Sequence, residues 1–115
     1  MKFFLKLAVA TIFLSAAPAR ADEVTDLIER GTYYFQLANS SLDLAKRVSA
    51  KKEKCQWARQ SRGELAQGLG YYEAAQSRAR TNPNWPADQR AKLDGVVERT
   101  RESLKKADEV VGQLC

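Results

Sequence analysis

Two cysteines, two adjacent tyrosine pairs and a run of lysine and arginine are the residues of this 115-residue chain whose chemistry is worth pursuing. Equally informative is what is missing. Histidine is absent, and the single methionine is Met1. A haem iron takes a histidine or methionine axial ligand, and most zinc and copper sites rely on histidine or clustered thiolates. The composition therefore argues against haem and transition metals, and no cofactor is expected. A serine or cysteine nucleophile would also lack its usual base. Glu64, Glu73, Asp94 and Glu98 lie away from the helix starts and are the remaining route to acid–base chemistry. Solvated charge balanced by nearby arginines is the simpler account of them. No glycine-rich phosphate loop follows a strand. The chain reads as a protein that is not an enzyme.

The cysteines carry a structural expectation. Cys55 and Cys115 lack a Cys-x-x-Cys arrangement, so a catalytic redox pair is not indicated. In an exported chain two cysteines pair more readily than they stay free. Closing a loop of about 60 residues contributes roughly 4 kcal/mol in the chain-entropy model. The alternative is an intermolecular bond through Cys115, making a covalent dimer.

Two groups of residues are candidates for binding. Lys46, Arg47, Lys51, Lys52, Lys54, Arg59 and Arg62 have only Glu53 among them. Such a basic end, with Lys105 and Lys106 expected at a similar level, suits an acidic partner protein or anionic lipid headgroups. Asp108 and Glu109 partly neutralise it, and a solvated helix end is the plainer reading. The second group is aromatic: Tyr33, Tyr34, Tyr71, Tyr72, Trp57 and Trp85. Neighbours on a helix point about 100° apart, so one tyrosine of each pair must lie at a groove or surface. Tyrosine and tryptophan are enriched at interaction hot spots; filling gaps between helices is the competing explanation.

The elements that hold these residues follow from pattern. Met1 to Lys6 carries two lysines, Leu7 to Ala17 is almost wholly apolar, and Ala19-Arg20-Ala21 supplies small residues at a cleavage site. This is the layout of a secretory signal peptide over 1–21, cut after Ala21 or, less favourably, after Ala19. A retained membrane anchor is the alternative, although the apolar stretch is short of the ~20 residues a span needs. No cysteine follows the cleavage site, so a lipoprotein anchor is not indicated. The product, 22–115, holds 16 basic and 14 acidic residues, a net charge of +2. Export and this modest charge both argue against nucleic-acid binding. The expected location is the periplasm, with secretion as the alternative, and no transmembrane segment is expected in the mature chain.

Within 22–115 the apolar residues recur at helical spacing, and strand signals are absent. Val24, Gly31, Ala38 and Ala45 form a small column beside the large column Ile28, Phe35 and Leu42. Ala58, Leu65, Tyr72 and Ala79 form a seam in a second helix. Leu93, Val96, Val97, Thr100, Leu104, Ala107, Val110, Val111 and Leu114 form the stripe of a third. Thr81-Asn82-Pro83-Asn84-Trp85-Pro86 is the one sharp break. The break at Ser49-Ala50-Lys51-Lys52 rests only on the loss of apolar residues, and a single bent helix is the alternative there. The expectation is an all-α fold: a three-helix antiparallel, up-down-up bundle with helices at 22–49, 52–80 and 86–114. Gly68 is expected opposite Tyr33 and Tyr34, and Gly95 opposite Tyr72. The hairpin at 81–86 brings Cys55 and Cys115 to one end.

Trp85-Pro86-Ala87-Asp88-Gln89-Arg90-Ala91-Lys92-Leu93 resembles the Leu-Thr-x-x-Gln helix start of the periplasmic chaperones of the Spy and CpxP type. The likeness spans nine residues. Gln89 meets the motif's glutamine, Trp85 replaces its leucine and Pro86 its threonine, and no second copy follows. It implies a small exported helical protein without enzymatic activity. Two functions therefore stand in the sequence: an adaptor, accessory subunit or inhibitor binding another envelope macromolecule, and a chaperone-like holder of unfolded envelope proteins.

Overall fold

The computed structural model describes residues 23–115; the leader and cleavage site read at 1–21 lie outside them. Three helices account for nearly all of the described chain: α1 (Glu23–Arg47), α2 (Lys51–Thr81) and α3 (Ala87–Leu114). Each begins with acidic residues in its first turn, Glu23 and Asp26 in α1, Glu53 in α2 and Asp88 in α3, where the helix dipole is positive. Lys46 and Arg47 close α1, and Arg78 and Arg80 close α2, at the opposite pole.

The weak boundary is a turn. Val48, Ser49 and Ala50 leave the helix, and Ala50 is extended at φ −70° and ψ 130°. The strong boundary is built by asparagine and proline. Asn82 leaves the helix at φ −101° and ψ 106°, as the residue before a proline tends to. Its side-chain oxygen accepts the Asn84 N–H at 3.0 Å, and its carbonyl accepts the Trp85 N–H at 3.1 Å. Pro86 sits at the cap of α3 rather than in its first turn: its ψ of 146° is extended, while its carbonyl takes the first helical bond, from Arg90 N–H at 3.0 Å.

The helices form a rod of 50 × 20 × 18 Å with α2 in the middle. Both outer helices pack on α2, and no Cα of α1 comes within 8 Å of one in α3. The two columns of α1 are buried throughout, as is the α2 seam Ala58, Leu65, Tyr72 and Ala79. One core cluster lies towards the α2–α3 turn, joining Val24, Ile28, Tyr72, Ala75, Trp85, Leu93, Val96 and Val97. A second joins Phe35, Ala38, Leu65 and Ala107. Burying each large side chain of this kind stabilises the fold by about 1.5–3 kcal/mol before the entropy of ordering is charged against it.

Between the clusters α1 and α2 cross closely. A Cβ on Gly31 would stand 3.2 Å from the Gly68 carbonyl oxygen, and a Cβ on Gly68 would stand 3.1 Å from that of Gly31. Glycine on both sides lets the backbones approach without that crowding. Buried polar side chains follow the seam and satisfy themselves on backbone: Ser61 Oγ donates to the Ala38 carbonyl at 2.7 Å and Asn39 Nδ2 to that of Phe35 at 3.0 Å. The rod's far end is closed by the Cys55–Cys115 disulfide, with Cα atoms 5.1 Å apart. The pairing expected from the hairpin is therefore present within the chain.

Candidate functional site

The glycine crossing decides where the tyrosines go. At the Gly31–Gly68 contact itself the two backbones leave no room for a side chain between them. Tyr34 and Tyr71 emerge together on one flank and stack, ring centroids 5.6 Å apart and planes 15° apart. Tyr33 meets Tyr34 edge-on at 5.4 Å and 77°. Such pairs contribute about 0.5–1.5 kcal/mol beyond burial, so the three rings hold one another in place. Tyr33 is 57% exposed, and with Leu44 it is one of two exposed large apolar side chains among the described residues. Asp26, Glu29 and Arg30 complete a shallow groove of about 350 Å³ beside the rings.

Tyr72 goes the other way. It is fully buried, its ring lies over Gly31 rather than Gly95, and its hydroxyl lies 2.9 Å from Thr32 Oγ1. Burial pushes its phenol up to about 12, the Thr32 hydrogen bond acting in the opposite direction. Trp85 is also interior, at 5% exposure, and its indole N–H has no hydrogen-bond partner among the described residues. Trp57 is half-buried. The aromatic set thus divides: Tyr33, Tyr34 and Tyr71 form a surface, while Tyr72 and Trp85 belong to the core.

The basic residues divide as well. Lys46, Arg47, Lys51, Lys52 and Arg59 are exposed near the α1–α2 linker. Lys54 Nζ donates to the Ala45 carbonyl at 3.2 Å, fastening α2 to the end of α1. Arg62 pairs with Asp108 at 2.6 Å on the surface. The Cys55–Cys115 and Arg62–Asp108 pairs fix the register of α2 on α3. Lys105 and Lys106 lie ten and nine residues before Cys115, roughly 15 Å back along the rod, so they are not at the level of the linker.

Of the four carboxylates singled out for acid–base chemistry, Glu64 and Asp94 stand apart and Glu73 and Glu98 meet at one arginine. Glu64 accepts from Ser41 Oγ at 2.6 Å, and Asp94 accepts from Gln76 at 2.7 Å. Glu73 and Glu98 share Arg101, at 2.8 and 3.0 Å; the hydrogen bonds to Glu73 and then Glu98 raise the guanidinium pKa further. Among the described residues no group of three or more acidic or thiol side chains is placed to hold a metal, and no helix is long and apolar enough to cross a membrane.

Sequence reasoning named the tyrosines but not the rim. Asp26, Glu29, Arg30 and Tyr33 stand at helical offsets of three, four and seven, and therefore share one face of α1. That spacing was the available signal; what it lacked was the crossing that brings Tyr71 alongside. No protein-family model matches this chain, and no curated protein or solved structure is detectably similar to it.

Proposed function

We propose that this chain is a small exported helical binding protein, an adaptor, accessory subunit or inhibitor that docks another protein of the cell envelope. The observation that carries the reading is the groove of Tyr33, Tyr34 and Tyr71 rimmed by Asp26, Glu29 and Arg30. Stacked tyrosines present a large amphipathic area whose rotamers are already fixed, so little side-chain entropy is lost on binding. The rim charges supply register for a partner. A secretory leader at 1–21 and the Cys55–Cys115 disulfide fit an oxidising compartment together. Glu64, Asp94, Glu73 and Glu98 each accept from a neighbouring side chain, which supports reading them as structural charges.

The test is position-resolved. A photo-crosslinking residue replaces Tyr33 in one variant and the exposed Lys92 on α3 in another, and adducts are identified by mass spectrometry of cells. One dominant adduct from position 33, weakened by Tyr71→Ala and absent from position 92, is the expected result. Equal adducts from both positions would remove the groove as the site. A broad set of envelope proteins captured at position 33, growing under folding stress, would replace the adaptor with the chaperone-like holder.

A further inference from the structure

Charge is distributed unevenly along the rod. The end formed by the α1–α2 linker and the last turn of α3 carries Lys46, Arg47, Lys51, Lys52, Lys54 and Arg59 against two acidic side chains, Asp43 and Glu53. The rest of the described chain holds ten cations and eleven carboxylates, so all of its excess positive charge sits at that one end. Elsewhere arginines are drawn into pairs, Arg62 with Asp108, Arg78 with Glu23 and Arg101 with Glu73 and Glu98. Arg47, Lys51, Lys52 and Arg59 are exposed, and none of them is in ion-pair contact with a described carboxylate. Lys51, Lys52 and Arg59 also share a groove of about 480 Å³ with Gln56, Leu114 and the disulfide. The cations therefore surround a patch that is itself partly apolar.

We infer that this end docks, end-on, on a membrane surface rich in anionic lipid, with the lysine and arginine heads among the headgroup phosphates. The narrow end favours a flat charged surface over a protein occupant. The rod's cross-section of 20 × 18 Å offers about 360 Å², less than half of the ~800 Å² per partner that a stable protein interface buries. Adsorption to a charged plane needs no such area or shape match, since each cation near the surface strengthens binding about fivefold by itself. This inference does not rest on the tyrosine groove, which lies at the level of residues 66–71 of α2 on the flank of the rod, roughly 25 Å from the basic end.

The test is co-sedimentation of the purified, oxidised chain with vesicles of phosphatidylcholine and with vesicles containing phosphatidylglycerol. Binding is expected only with phosphatidylglycerol, and it should fall away as salt is raised past the range where the Debye length is ~10 Å. Replacing Lys51, Lys52 and Arg59 together by alanine should weaken binding about a hundredfold. The same loss of charge away from that end, Lys92→Ala with Lys105→Ala and Lys106→Ala, should leave most of it. Nitroxide on the lipid headgroup should quench Trp57 in a Trp85→Phe protein and spare Trp85 in a Trp57→Phe protein. Equal binding to neutral vesicles, equal loss in the two triple variants, or equal quenching of both tryptophans would each overturn end-on docking. So would capture by a soluble polyanion such as polyglutamate with none by vesicles.

Discussion

Gly31→Ala adds one methyl group at the place where the fold leaves no space for it. The new Cβ would stand 2.7 Å from both Cδ1 and Cε1 of Tyr72 and 3.2 Å from the Gly68 carbonyl oxygen. The obstacle is a ring, not a flexible chain end. Tyr72 is fully buried and tied to Thr32, so relief requires α1 and α2 to move apart or the ring to leave its position. Overpacking of this kind costs about 1–3 kcal/mol, and loss of the Thr32 hydrogen bond adds about 1. Alanine returns up to about 1 kcal/mol through its better helix propensity. The expected net loss is about 1–3 kcal/mol, or roughly 4–8 °C in Tm for each kcal/mol in a domain of this size. Gly63 and Gly70 provide the internal control, because a Cβ there meets nothing within 4 Å. Alanine at either should stabilise by about 0.5–1 kcal/mol. Urea melts of the oxidised protein, followed by far-ultraviolet circular dichroism, measure all three. If Gly31→Ala is as stable as Gly63→Ala, the close crossing is not a property of the protein.

Three further outcomes are expected. Reducing the disulfide, or replacing Cys55 and Cys115 by alanine, should remove about 4 kcal/mol, read as a shift in urea midpoint with mass analysis confirming the two-mass-unit difference between the oxidised and reduced chain. Tyr72, with its phenol at about 12 against an ordinary 10.0, stabilises the fold fully below pH 10, and that contribution is lost as pH rises towards 12 because the unfolded chain releases its proton first. Wild type should therefore lose about 2 kcal/mol by pH 12 that Tyr72→Phe does not lose, as measured by melts across an alkaline series. Ala50 occupies the cap position of α2 with no side-chain bond to the helix, so Ala50→Ser should stabilise by about 1 kcal/mol in the same melts.

Much of the fold was legible because helical spacing encodes it. The Val24–Ala45 column, its Ile28–Leu42 neighbour and the Ala58–Ala79 seam are visible as sevens and are buried as written. The cysteine pair followed from reflecting the chain across the break at Pro83 and Pro86. What spacing does not encode is azimuth. Tyr72 lies near the level of Gly95, as the hairpin implies, yet it faces α1 because a middle helix has two neighbours and the pattern does not say which one a side chain meets. Lys105 and Lys106 stand within about a turn of the level of Arg62, as the Arg62–Asp108 pair shows, but well back from Lys51 and Lys52: the basic run spans several turns of α2 and has no single level. Buried Asn39, Ser41, Ser61 and Ser103 break the apolar pattern and could not be read as interior from hydrophobicity. The groove was half legible, its tyrosines by type and its rim only as a shared face of α1.

The linker of Val48, Ser49 and Ala50 contains neither glycine nor proline, and none of the three opposes a helix strongly. Both cysteines lie beyond it, so α2 and α3 form a covalently closed ring, while α1 is held on α2 by packing, side-chain hydrogen bonds and the Arg78–Glu23 pair, with no covalent tie but the linker. Straightening those three residues would fuse α1 and α2 into one continuous rod without breaking a bond in the ring. A molecule opened in that way exposes the Gly31–Gly68 seam on both helices, and the surface that fits it best is the same seam of another opened copy. Exchange of first helices between two chains is the arrangement that would restore every α1–α2 contact once that linker is straight.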